Sequence, residues 1–265
     1  MTTLPTPEQV HAPSPAVAPP PGNPRFALFD SLRGIAVLCI VAYHVTSITG
    51  EMNRPIIGDL FSVLGNQALI LFFVISGFLL YRPYAAAHVR GRSRPNTARY
   101  VRRRVLRILP AYWVALTALA IFPGIVGVFS GDWWRYYFFL QAYSDRTIGG
   151  GIPPAWSLCA EVSFYALLPV WAIAVRAGRR RLAIRWVSAE LGSLALVAGV
   201  GVLVQVAASR LWISHLLPTT LLGECTWLAL GMAIAVVEVG VAHEQVPPRP
   251  VQLLAEHPGV CWGAA

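Results

Sequence analysis

Arg25 to Thr49 reads RFALFDSLRGIAVLCIVAYHVTSIT, and from Leu32 to Ile48 it is almost wholly apolar. With its flanks this run is long enough to cross a hydrocarbon core about 30 Å thick as one helix. Two ionisable residues interrupt it, Arg33 near the start and His44 eleven residues further on. Eleven residues make about three helical turns, so both side chains project from one face, about 16 Å apart along the axis. Hydrocarbon penalises a guanidinium and an imidazole unless they face protein or a wet cavity. The stretch therefore predicts a membrane helix whose Arg33/His44 face looks into an active-site tunnel.

Composition points the same way. The chain has 265 residues, of which 56% are hydrophobic and only 12% charged, about half the charge expected of a soluble domain. This predicts an all-α, polytopic helical membrane bundle in contact with lipid, and nothing suggests a nucleic-acid partner. The net charge of +9 arises from arginine alone, since lysine is absent. Cys39, Cys159, Cys225 and Cys261 are scattered singly, without CxxC or Cys/His spacing, so neither a disulfide nor a metal site is expected.

Outward from the first span, further apolar runs cover about Leu60 to Tyr81, Ile108 to Phe129, Ala155 to Val175, Leu191 to Ala208 and Leu216 to Val239. Between the third and fourth, DWWRYYFFLQAYSD (132–145) is aromatic but too short to cross, and is placed at the outer interface or as a re-entrant segment. Arginine sets the orientation. With the clusters at 82–107 and 176–185 in the cytoplasm, only Arg54, Arg135, Arg146 and Arg210 fall outside. Six full spans with both termini cytoplasmic, in a cell membrane, is the consistent topology. Residues 1–24, with eight prolines, read as a disordered cytoplasmic tail. Residues 25–240 form the membrane domain, and 241–265 a cytoplasmic segment resembling the start of a truncated span.

Depth within the spans singles out further residues. His44 lies about five residues before the outer end of its span and Glu161 about six after the outer start of its own, each about 8 Å deep. Two readings follow: a base with an orienting carboxylate, or two separately satisfied buried polar groups. Arg33, one turn after Asp30, either forms a local ion pair and snorkels or binds an anionic donor. Arg99, Arg103 and Arg107 share a helical face within RYVRRRVLR. Such a run sets topology and grips anionic lipid, or forms a phosphate patch. Ser76-Gly77 permits close helix approach, and Glu224 is a further intramembrane carboxyl.

Four segments in order resemble the acyltransferase-3 family of integral membrane acyltransferases: FDSLRGIAVLCIVAYH (29–44), FFVISGFLLYRP (72–83), RRRVLRILPAYW (102–113) and WSLCAEVSFYALLP (156–169). The resemblance implies O-acyl transfer, often of acetyl, from cytoplasmic acyl-CoA to a hydroxyl of a sugar-containing or glycolipid acceptor. It implies that His44 is catalytic and Arg33 essential, that Arg104 and Arg107 serve the donor side, and that Glu161 belongs to the membrane motif. Ala68 departs from a glycine frequent in the family, and members usually carry about ten spans where this chain supplies six. The alternative is a non-catalytic membrane protein, transporter-like or a partner subunit, using the same polar residues as a pathway. A second copy of the chain, or a polypeptide supplying further spans, is open as a partner.

Overall fold

A computed structural model describes residues 27–89, 91, 95–182 and 186–244. The N-terminal tail, Cys261, most of the C-terminal segment, and the side chains of Arg179 to Arg181 and Arg185 lie outside the described residues. The described chain forms α1 (Ala27–Thr49), α2 (Pro55–Val89), α3 (Thr97–Ile121), α4 (Trp133–Tyr137), α5 (Ala155–Leu182), α6 (Trp186–Ser209) and α7 (Leu221–Glu244), with no strand among the described residues. All but α4 are long and apolar enough to cross a membrane. At five residues α4 rises only about 7 Å, so it cannot span.

The centre of the bundle is the crossing of α2 and α7, made by glycine. A Cβ on Gly77 would stand 2.2 Å from the Leu228 carbonyl oxygen, and one on Gly231 would stand 2.0 Å from that of Val74. The two backbones therefore touch directly, the device by which membrane helices gain packing without a hydrophobic driving force. Around the crossing Phe73, Leu80 and Tyr81 of α2 pack with Phe164 and Leu168 of α5 and Leu194 of α6.

The first two helices form an antiparallel hairpin. Phe29 packs edge-on against Phe78 at 4.9 Å, Arg33 lies over the Phe72 ring at 5.3 Å, and Tyr43 meets α2 at Gly65, where a Cβ would stand 2.7 Å from its ring. On its other side α1 exposes Ile35, Leu38, Val41, Val45 and Ile48, the apolar surface that lipid covers.

The third span differs from the sequence expectation at both ends. The third span was expected over 108–129, but α3 runs from Thr97 to Ile121. Its start is shifted because Asn96 caps the helix, its side chain accepting from the Arg99 amide at 3.0 Å, so the arginine run is itself helical. It ends early because Pro123 cannot continue a helix and Gly124 and Gly127 adopt positive φ. The following loop wraps Tyr136, whose ring fills the space beside Gly127, Gly150 and Gly151. Burial, then the nearby Asp132 carboxylate, hold the Tyr136 phenol above its usual range. The loop is tied to α3 by Tyr112 Oη donating to the Tyr136 carbonyl at 3.0 Å and Trp113 Nε1 donating to that of Tyr137 at 2.9 Å.

Candidate active site

The polar residues inside the bundle fall into three layers. At the α1–α2 turn, His44 lines a cavity of about 270 Å³ with Ser62 and Asn66 of α2 and Trp156 and Ser157 of α5. Its ring sits edge-on to Tyr43 at 5.1 Å. Among the described residues it makes no hydrogen bond or ion pair, so the imidazole is available to whatever enters.

The middle layer is built on Glu161, which is 4% exposed. Ser76 Oγ donates to its Oε1 at 3.2 Å, and Tyr165 Oη, one turn along α5, donates to the same oxygen. The guanidinium groups of Arg33 and Arg104 both act on the carboxylate electrostatically. Arg104 is held over the rings of Tyr165 at 5.5 Å and Tyr100 at 5.9 Å, so its cation is stabilised by two aromatic faces. Three helices and the α1 arginine thus converge on one buried carboxylate.

The third layer opens at the α2–α3 end. Arg99, Arg103 and Arg104, with Tyr84, Asn96 and Tyr100, line a cavity of about 340 Å³. The Arg104 Nε and the Tyr100 hydroxyl are buried without a hydrogen-bond partner. Buried donors without acceptors cost free energy, and two of them beside a cluster of guanidinium groups suit an anionic guest. Arg104 belongs to both this layer and the Glu161 layer.

Three expectations change against this geometry. Glu161 and His44 do not pair: none of the described hydrogen bonds or ion pairs joins them. Glu161 is instead within electrostatic reach of Arg33, and it lies one turn along α5 from Ser157, which lines the His44 cavity. Equal counts from Thr49 and Ala155, the ends that α1 and α5 in fact have, fix depth but not which helix faces meet. Arg104 lines the arginine cavity and is half-buried, whereas Arg107, one turn on, is exposed and does not line it. Arg33 forms no ion pair with Asp30 and instead lies over Phe72, facing Glu161.

A further buried cluster went unnoticed in the sequence. Glu190, 1% exposed, accepts from Tyr81 Oη at 2.6 Å and is bonded to His88 Nδ1, tying α6 to α2. Nearby, Arg82 forms a bidentate pair with Glu238 of α7 at 2.8 and 2.9 Å. The only signal available was an acidic residue at the start of an apolar run. Ser62 and Asn66 were also passed over, although polar residues spaced i, i+4 in an apolar helix mark a wet face. Among the described residues no three His, Cys, Asp or Glu side chains converge as a metal site requires.

The model of an acyltransferase domain matches residues 26–247. Among characterised proteins, the chain is 23% identical over 199 residues to peptidoglycan O-acetyltransferase OatA of Listeria monocytogenes, covering 69% of this chain and 29% of that protein. It is 28% identical over 171 residues to acyltransferase MdmB of Streptomyces mycarofaciens, covering 59% of this chain and 42% of the relative. Protein 2 in the picA locus of Rhizobium radiobacter is 29% identical over 168 residues, which cover 82% of it. The match thus spans less than half of the length of either named acyltransferase. No solved structure matches.

Proposed function

Because the chain belongs to the acyltransferase-3 family, its domain match running over residues 26–247, we propose that it transfers an acyl group, acetyl in the simplest case, from acyl-CoA to a hydroxyl of a carbohydrate-containing or glycolipid acceptor. The observation that carries this reading is the pair of cavities at opposite ends of the bundle, one lined by arginines and one by a free imidazole, with the Glu161 layer between.

In this reading the donor's phosphates bind Arg99, Arg103 and Arg104, whose guanidinium forks match phosphate oxygens. The flexible thioester arm passes the Arg33/Glu161 layer toward His44. Glu161, held by Ser76 and Tyr165, fixes Arg33 and Arg104 rather than orienting the imidazole. His44 takes the proton of the acceptor hydroxyl as its oxygen attacks the thioester carbonyl. The new C–O bond forms, the C–S bond breaks, and the proton leaves the imidazole to give the free CoA thiol. Arg107, outside the cluster, is left the role of gripping anionic lipid. The arginine-rich end then lies in the cytoplasm and the His44 cavity toward the outer face of a cell membrane.

The test is transfer of label from radiolabelled acetyl-CoA to a mixed lipid and carbohydrate extract, with thiol release followed in parallel. His44→Ala should abolish transfer while the protein still inserts and elutes as a folded species. Undiminished transfer by that variant would overturn the assignment of the base.

A further inference from the structure

The His44 cavity carries more information than the presence of a base. We propose that Asn66 and Ser62 of α2 select the acceptor by hydrogen-bonding the hydroxyl groups of a single neutral sugar ring seated against Trp156. The inference rests on the acyl-transfer reading above, and names what occupies its acceptor side.

Ser62 and Asn66 are four residues apart and therefore share one face of α2, the face that lines the cavity. Both side chains are exposed, and among the described residues neither makes a hydrogen bond. On a membrane helix such groups need water or a ligand, because lipid offers no partner. An amide supplies two donor hydrogens and an acceptor oxygen, and a hydroxyl supplies one donor and accepts as well. Together they can read two neighbouring hydroxyl groups. Ser157 is already committed as a donor to the Pro154 carbonyl at 2.9 Å, which leaves the reading to the α2 pair.

The rest of the wall sets the shape and charge. Trp156, Tyr43, Ile40 and Leu69 give it an apolar side, suited to the hydrocarbon face of a pyranose. Gly65, between the two polar residues, lets the Tyr43 ring lie directly on the α2 backbone, so α1 and α2 converge at the level of His44. Apart from His44, no acidic or basic side chain lines the cavity. A carboxylate or ammonium on the guest would go unpaired there, which favours a neutral, hydroxyl-bearing ring. At about 270 Å³ the space has room for one sugar ring.

The experiment uses the full chain in nanodiscs, where both faces are accessible. Ser62→Cys and Asn66→Cys are treated with a water-soluble maleimide, and labelling is counted above that of the unmodified protein. Methyl β-D-glucopyranoside and methyl N-acetyl-β-D-glucosaminide serve as probes, with equimolar mannitol as the open-chain control. Labelling that slows severalfold with either glycoside, and not with mannitol, is the expected result. Labelling that neither glycoside slows overturns the sugar assignment, and failure of both cysteines to label overturns the open cavity. A second arm measures transfer kinetics. Asn66→Ala should raise the acceptor KM about tenfold with kcat changed much less and the acetyl-CoA KM unchanged, as loss of a uniform binding contact requires. Ser47→Ala, outside the cavity, is the matched control. Absence of all acyl transfer would sink the catalytic reading, whereas glycoside protection is read without it, so the two failures are distinguishable.

Discussion

Replacing Gly231 with alanine tests the packing on which every layer of the site depends. The added Cβ would stand 2.0 Å from the Val74 carbonyl oxygen and 2.8 Å from the Phe78 amide nitrogen, both main-chain atoms that no rotamer change can move. Restoring an ordinary contact requires α2 and α7 to separate by more than about 1 Å, and a gap of that size forfeits a quarter to a half of each dispersion contact across the interface. Overpacking typically costs about 1–3 kcal/mol. The upper part of that range applies here because the obstacle is backbone. For a domain of this size about 2–3 kcal/mol corresponds to a fall of about 4–12 °C in Tm. The matched control is Gly199→Ala on α6, where a Cβ meets nothing within 4 Å and alanine is the better helix former by about 1 kcal/mol. Thermal unfolding of both variants in one detergent, followed by tryptophan fluorescence, should separate them clearly. Equal melting temperatures would refute direct backbone contact at the α2–α7 crossing.

Other expectations are as direct. Glu190→Ala should destabilise by about 3–5 kcal/mol, since it strips a buried carboxylate from Tyr81 and His88 together; a variant as heat-stable as the parent would show that the cluster contributes nothing. Tyr81→Phe loses one bond of the same cluster and should cost about 1–3 kcal/mol by the same melting measurement. Arg104→Ala should raise the acetyl-CoA KM by tenfold or more, whereas Arg107→Ala should leave it within about twofold. Equal effects of those two substitutions would restore the view that they act as a pair.

Much of the bundle is legible in the sequence because membrane helices announce themselves by apolar length, and each of the six spanning helices overlaps one of the six apolar runs. The same holds for Arg33, His44 and Glu161, where an ionisable residue stands out against hydrocarbon. Partnerships are a different matter. Glu161 bonds to Ser76, 85 residues away, and Glu190 bonds to His88 and Tyr81, 102 and 109 residues away. A single sequence gives no information on which faces meet across such separations. Depth counted from the ends of apolar windows is no substitute, because it places Glu161 and His44 along their helices without saying which faces of α5 and α1 meet. The start of α3 lies outside its apolar window because the arginine run, though it carries a helical face, is not apolar, and Asn96 caps it.

That continuity of α2 has a mechanical meaning. One unbroken rod of 35 residues supplies a wall to both cavities, Asn66 to one and Tyr84 to the other. At 1.5 Å per residue Asn66 and Tyr84 stand about 27 Å apart, and the nearest α2 residues of the two linings, Leu69 and Leu79, about 15 Å. The rod acts as a gauge: the interval between the two chambers is set by helical rise, with no loop to lengthen or shorten it. A guest entering at the arginine end is therefore measured by its reach, and one residue inserted between Asn66 and Tyr84 would both lengthen the gauge and swing the chambers out of line by about 100°.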